Sequence, residues 1–319
     1  MLLLSGWPGS FYEFYDAIDS LKNKYDNDER YFDILVPSIP GYDYSTPLNE
    51  KFNVVDTARL YDALMRHLFG DECKYFVHGE DWGSLIATAI GQMYPKRVAA
   101  IHITMAGFIR PFDLQFITKI FMTELFPSMM LTDEEKALNI SFSLKTRLLT
   151  LLRETGYMHI QATRPDTVGI GLTDSPAGLM AYILEKYSVW SFNFENEVLG
   201  SHDGSLEKFS KDDLLTIITL YWMTNSITSS MRYYKCSLPL KNDWFQFDLS
   251  KFPTPSSLPV AITYALNELD HTPYTVLKHA YPNLVQYKLL KTGGHFGLFH
   301  NPGELLPHLI NFIDNVSKV

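Results

Sequence analysis

One carboxylate in this chain stands where a nucleophile would. Asp81 lies in Gly79-Glu80-Asp81-Trp82-Gly83, with a glycine two places to either side. Ahead of it, Lys74-Tyr75-Phe76-Val77-His78 reads as a short apolar strand. Behind it, Ser84-Leu85-Ile86-Ala87, continued by Ile90, Met93 and Tyr94, reads as a buried helix. A sharp strand-to-helix elbow needs residues without bulk at those flanks, because strand and helix approach each other closely there. The familiar elbow holds Ser. Asp instead can attack an electrophilic carbon and form an ester, which suits alkylation better than acyl transfer. The competing reading of Asp81 is a helix N-cap that accepts hydrogen bonds from free backbone N–H groups. Five residues alone do not decide between the two.

Other groups fall at strand ends, where open parallel sheets bind ligands. Trp7 follows the first strand, Glu268 follows a strand ending near Tyr264, and His295 follows the last strand in Gly293-Gly294-His295-Phe296-Gly297. Nucleophile, acid, histidine is the chain order of the α/β-hydrolase fold. In those roles Asp81 attacks carbon, His295 activates water against the ester, and Glu268 holds the imidazole and stabilises its charged form. The backbone N–H groups of Trp7 and Trp82 would face the oxyanion formed as the ester breaks down. Each has a plainer rival: both tryptophans serve equally as core aromatics, Asp270 competes with Glu268, and His300 competes with His295. His300 precedes Asn301-Pro302 and reads as a loop into the last helix. Ser84 lies three places past the elbow, inside the helix, which disfavours a serine hydrolase.

These groups need a frame. Strands at Leu2–Leu4, Phe32–Val36, Lys74–His78, Val98–Thr104, Val260–Tyr264 and Leu284–Leu290 alternate with helices at 11–22, 54–69, after the elbow, from Thr272-Pro273, and at 304–316. Such alternation with short connections predicts a parallel sheet covered on both faces. In the 54–69 helix, Leu60, Leu64 and Leu68 stack at helical spacing. Thr272 reads as an N-cap with Pro273 at the first helical position. From about Gly107 to Lys251 the pattern is helical only, with stretches at 114–125, 133–153, 178–187 and 211–233, and reads as an inserted cap. The expected division is a core from 1–106 and 252–319 around a cap at 107–251.

The chain has 319 residues, 46% of them hydrophobic, enough for a sizeable core. A net charge of −9 and no Lys/Arg run argue against a nucleic-acid surface. Two cysteines, Cys73 and Cys236, make neither a disulfide framework nor a metal pattern. No apolar run is long enough to span a bilayer, and the four residues Met1–Leu4 are too few for a signal peptide. On this count the chain alone reads as soluble.

Taken together, the motifs resemble the microsomal epoxide hydrolases, including the juvenile hormone epoxide hydrolases. The matching runs are Gly6-Trp7-Pro8-Gly9-Ser10, Pro37-Ser38-Ile39-Pro40-Gly41-Tyr42, the Asp81 elbow, Gly293-Gly294-His295-Phe296, and two runs within the helical insertion: Gly156-Tyr157-Met158-His159-Ile160-Gln161-Ala162-Thr163 and Asp174-Ser175-Pro176-Ala177-Gly178-Leu179. The likeness implies Asp81, Glu268 and His295 as nucleophile, acid and base. It also implies two cap tyrosines that hydrogen-bond the epoxide oxygen: Tyr157, and Tyr234 with Tyr233 as its close competitor. A phenol is a sensible acid there, because the leaving alkoxide is strongly basic. The implied activity is hydrolysis of an apolar epoxide, of the cis-stilbene-oxide type, to a vicinal diol with no metal or organic cofactor. The family further implies a role in detoxification, residence at the endoplasmic reticulum membrane and an N-terminal part bearing an anchor, a segment over the cap and the first strands of the sheet. Without that part Phe32–Val36 is expected to be an unpaired edge. Ser5 stands where the family has His. The rival readings are a haloalkane dehalogenase, which also follows Asp with Trp, and an inactive paralogue acting as a binding protein.

Overall fold

The computed structural model describes residues 1–26, 32–47, 52–106, 114–138, 142–191, 206–238 and 253–318. Short apolar runs set the frame. Strands β1 (Leu2–Leu4), β2 (Tyr75–Gly79), β3 (Val98–Ile103), β4 (Val260–Tyr264) and β5 (Leu284–Leu289) pair in that order, every neighbour parallel. Parallel neighbours cannot be joined by tight hairpins, so helices carry the chain back between them. A 3₁₀ turn at Phe11–Phe14 leads into α1 (Tyr15–Asp26), followed by α2 (Val54–Phe69) and α3 (Trp82–Met93). Between β3 and β4 lie α4 (Leu114–Leu125), α5 (Pro127–Met130), α6 (Asp133–Ala137), α7 (Leu144–Glu154), α8 (Gly156–Thr163), α9 (Pro165–Asp174), α10 (Pro176–Val189), α11 (Lys211–Met223) and α12 (Ile227–Ser237). The chain closes with α13 (Tyr274–Ala280), α14 (Gly297–His300) and α15 (Pro302–Val316).

Alternation along the first strand shows how the two faces are filled. Leu2 and Leu4 join one apolar cluster with Val77, Ile86, Ile90 and Ile101, on the α2 and α3 side. Met1 and Leu3 join the other with Phe14, Leu21, Leu305 and Leu309, on the α1 and α15 side. Each such side chain taken fully from water contributes roughly 1.5–3 kcal/mol. Helix α3 is buried from Trp82 to Gln92, so the residue that opens it is held by packing on every side.

Several expectations are corrected. The Phe32–Val36 strand reduces to one bridge, Leu35 to Leu2; Pro37 follows with no N–H to give, and Phe32 packs edge-on against Tyr25 and Phe76 instead of extending the ladder. In α2 the Leu60 and Leu68 positions face solvent, and Val54, Ala58, Tyr61 and Met65 form the buried stripe. The expected 211–233 helix breaks at Asn225, whose φ of 53° is a left-handed conformation that Asn tolerates. The expected 133–153 helix is two helices, α6 and α7. The α8 and α9 helices are additions; Pro165 and Pro176, at the first positions of α9 and α10, mark two of the boundaries. Thr272 caps nothing: α13 starts one residue later, with Pro273 at its N-cap, and the Thr272 hydroxyl is buried without a partner. The expected domain boundaries at 107 and 251 lie outside the described residues.

Candidate active site

The elbow is built from close approaches. A Cβ at Gly79 would overlap the Gly83 carbonyl, one at Gly83 would overlap the Leu4 carbonyl, and one at Gly6 would overlap the Asp81 carboxylate. Strand β2, helix α3 and the loop after β1 are thereby drawn against one another, and the bend falls on Asp81 at φ 50°, ψ −123°. A non-glycine residue there stores strain of about 1–3 kcal/mol, and such strain clusters at functional sites. Asp81 makes no side-chain capping bond to α3, which removes the N-cap reading. Ser84, inside α3, spends its hydroxyl on the Gly79 carbonyl at 2.7 Å and accepts from the Met105 N–H.

Both Asp81 oxygens have defined neighbours. Oδ1 accepts from the Trp7 N–H at 2.8 Å. Oδ2 lies 3.3 Å from His295 Nε2, in ion-pair contact but not aligned as a hydrogen bond. On the far side of the ring, His295 Nδ1 is 2.8 Å from Glu268 Oε1, which also accepts from the Leu269 N–H at 2.9 Å. Because the carboxylate can only accept, Nδ1 carries a proton. Burial pulls the imidazolium down, but Glu268 and Asp81 more than reverse this and hold His295 well above the ordinary histidine range. The rival acid and base lie elsewhere. Asp270 is tied to Arg147 of α7 at 2.6 Å. His300 faces the Phe209 ring, and burial lowers it to about 4.

Helices from the β3–β4 insertion bring two phenols over this group. The Tyr157 ring of α8 stacks on Trp7 with centroids 5.0 Å apart and planes 11° apart. The Tyr234 ring of α12 meets Trp82 edge-on at 4.8 Å and Tyr157 at 5.8 Å. The Tyr234 hydroxyl is buried, with the Tyr157 hydroxyl as its polar neighbour. Burial, the neighbouring phenol and Asp81 hold Tyr234 well above the usual phenol range; burial and Asp81 do the same for Tyr157. Tyr233 differs from its neighbour, because its hydroxyl is spent 2.8 Å from Thr57 Oγ1 on α2. Trp7 and Trp82 are both buried. The structure thus brings Asp81, His295, Glu268, Trp7, Trp82, Tyr157 and Tyr234 together and turns Asp270, His300 and Tyr233 away.

A sequence profile described as the alpha/beta hydrolase fold matches residues 1–148. The crystal structure of juvenile hormone epoxide hydrolase from the silkworm Bombyx mori superposes with a TM-score of 0.89 at 37% identity, over 99% of this chain and 72% of that one. An Aspergillus niger epoxide hydrolase gives 0.73 at 27%, over 99% and 71%. Epoxide hydrolase 1 of Sus scrofa is 40% identical over 98% of this chain and 67% of its own length. The chain belongs to the epoxide hydrolase family. It spans about two thirds of the relatives named, and among its described residues no helix is long and apolar enough to cross a membrane.

Sequence patterns missed several groups that this chain gathers around the site. Tyr187 and Trp190 of the α10 end pack on Phe296 and His295, and the Trp190 carbonyl accepts from the His295 N–H at 2.9 Å. Glu13, fully enclosed, lies against Gly9 and accepts from the Tyr187 hydroxyl at 2.9 Å. Gly9 was the one legible trace, since any side chain there would occupy the space of the Glu13 carboxyl. Burial and the nearby Glu80 carboxylate push Glu13 well above the ordinary carboxylate range. The folded state therefore keeps a proton that the unfolded chain loses, and this group's contribution to stability falls as pH rises from that range toward the folded value. Glu13→Gln supplies the neutral shape at every pH. We expect it to match wild type in thermal melts at pH 5 and to exceed it by a few degrees at pH 8, with about 2–4 °C for each kcal/mol.

Proposed function

We propose that this chain hydrolyses apolar epoxides to vicinal diols through an ester on Asp81, with the insertion α4–α12 acting as the cap over the substrate. Asp81 Oδ2 attacks an epoxide carbon and the C–O bond to that carbon breaks. The departing oxygen takes a proton from Tyr157 or Tyr234, leaving a phenolate. His295 Nε2 then removes a proton from water, whose oxygen adds to the ester carbonyl. The oxyanion at Oδ1 is met by the Trp7 N–H, already aligned in the resting site, and by that of Trp82. Collapse releases the diol oxygen, which takes the proton from His295. The new carboxyl proton returns to the phenolate, so the balance is epoxide plus water to diol. Glu268 orients the imidazole through Nδ1 and stabilises its charged form.

One observation carries the proposal: a single carboxylate meets a backbone N–H on Oδ1 and an imidazole on Oδ2, under a buried phenol whose hydroxyl neighbours a second phenol. The lining of Trp7, Trp82, Tyr157, Tyr182 and Trp190 rings favours an apolar substrate. Residence at the endoplasmic reticulum membrane is supported by kinship alone. The test is a single turnover of cis-stilbene oxide in heavy-oxygen water. The label should enter the Asp81 carboxylate and be absent from the first equivalent of diol; label in that diol instead would mean direct attack by water.

The two neighbouring tyrosines of α12 offer a contrast. Tyr234→Phe should slow alkylation by about 10²-fold, in the range of one lost donor to the charge that develops on the departing oxygen. Tyr233→Phe removes only the bond to Thr57 and should cost about 1 kcal/mol of stability with alkylation nearly unchanged. Rapid-quench measurement of ester formation separates them, and equal effects would defeat the assignment of Tyr234.

A further inference from the structure

The Tyr157 phenol has a companion that epoxide opening as described above does not use. Lys186 rises from α10 with its Nζ 4.8 Å from the centre of the Tyr157 ring and 5.4 Å from that of Trp190. Its side chain is only 9% exposed, whereas lysine is almost never fully buried unless paired. The partner is Glu185 Oε2, at 2.5 Å on a half-exposed side chain, so the pair reaches outward at one end and onto aromatic rings at the other. Among the described residues no cation lies over the Tyr234 ring. The two phenols are therefore electrostatically unequal.

The inequality bears on proton donation. As a phenol gives up its proton, negative charge spreads into the ring, and a cation above the ring attracts the phenolate more strongly than the phenol. That attraction grows toward the transition state, so it accelerates the step and does not merely tighten binding. Burial and the Asp81 carboxylate work against donation by Tyr157, the hydroxyl of Tyr234 works for it, and the Glu185 carboxylate adds to the opposition. We propose that Lys186 is a positioning residue that offsets this opposition, making Tyr157 the phenol that transfers its proton while Tyr234 holds the epoxide oxygen by hydrogen bonding. The inference rests on the epoxide-opening role of the two tyrosines.

Transient kinetics with cis-stilbene oxide resolves alkylation from ester hydrolysis. Lys186→Met should slow alkylation by about 3- to 30-fold, the span expected of a desolvated cation–π contact, and leave hydrolysis unchanged. Lys186→Arg should recover most of the rate. In a Tyr157→Phe background Lys186→Met should cost nothing further, whereas in a Tyr234→Phe background its full effect should remain. Lys186→Gln removes the charge and keeps a polar end for Glu185. It should slow alkylation within the same span in the wild type and not in Tyr157→Phe, so the outcome stands even if Lys186→Met does not fold. A Lys186 effect that persists without Tyr157, or that falls equally on hydrolysis, overturns the inference. If Tyr157→Phe itself leaves alkylation unchanged, it is the role of the tyrosines that fails.

Discussion

Asp81→Asn should abolish turnover, by about 10⁴-fold or more, while apolar epoxides still bind. Removing a nucleophile eliminates the covalent route, and losses on that scale or larger accompany such changes in other hydrolases. The amide keeps an oxygen for the Trp7 N–H, so the loop after β1 has no reason to move. A companion variant separates the nucleophile from the helix cap it mimics in sequence. Replacing a true N-cap aspartate costs about 0.5–2 kcal/mol, least when glycine takes its place. Asp81 makes no capping bond and sits at φ 50°, a conformation glycine adopts freely. Asp81→Gly relieves the strain there, about 1–3 kcal/mol, but leaves the buried Trp7 N–H without its acceptor at a similar cost, so it should be inactive and melt near the wild type. Melting well below the wild type in both Asp81→Asn and Asp81→Gly would mean that the carboxylate holds α3 in place, contrary to its geometry.

What could be read in advance followed the range over which each signal acts. The elbow was legible because its requirements are local: Gly79 and Gly83 must lack side chains where strand and helix cross, and both lie within two residues of Asp81. Strands β1 to β5 were likewise legible as short apolar runs, whereas their order in the sheet was not. Helix ends inside the insertion were harder. A break at Asn225 or between α6 and α7 depends on backbone conformation that an apolar period does not encode. The α2 stripe was misleading for another reason: three leucines at helical spacing mark a face, but Ala58 and Tyr61 are the residues that fit against α3 and the sheet. Long-range partners were not legible from pattern at all. Nothing near Tyr233 says that its hydroxyl will meet Thr57, 176 residues away, and that Tyr234 will meet Tyr157. Glu13 and Tyr187 are of the same kind, since they meet only when the insertion folds onto the core, and Lys186 finds its ring only when α10 comes against α8.

His295→Gln should divide the reaction in two. We expect alkylation to proceed, one equivalent of epoxide to be consumed, and the ester to persist, with later turnovers slowed by about 10³-fold or more. Intact-protein mass after a brief mixing should show a gain equal to the substrate, absent in Asp81→Asn. The electrostatics explain why the wild-type imidazole is idle in one half and active in the other. Against the Asp81 carboxylate and Glu268 the ring is held well above its usual range, so it is charged and cannot accept a proton. Alkylation converts Asp81 into a neutral ester and deletes one of the two anions that raise it, while the burial that lowers it remains. The ring then descends toward neutrality as its substrate appears. Ester hydrolysis should accordingly increase as pH rises through this lowered value and level off above it. Alkylation should show no matching rise, because it asks nothing of a neutral imidazole. In Glu268→Gln the ring loses its remaining anion, so the half-point of the hydrolysis profile should move to lower pH even as its plateau falls. A half-point moved upward would mean that Glu268 does not stabilise the charged ring, although the 2.8 Å contact to Nδ1 remains.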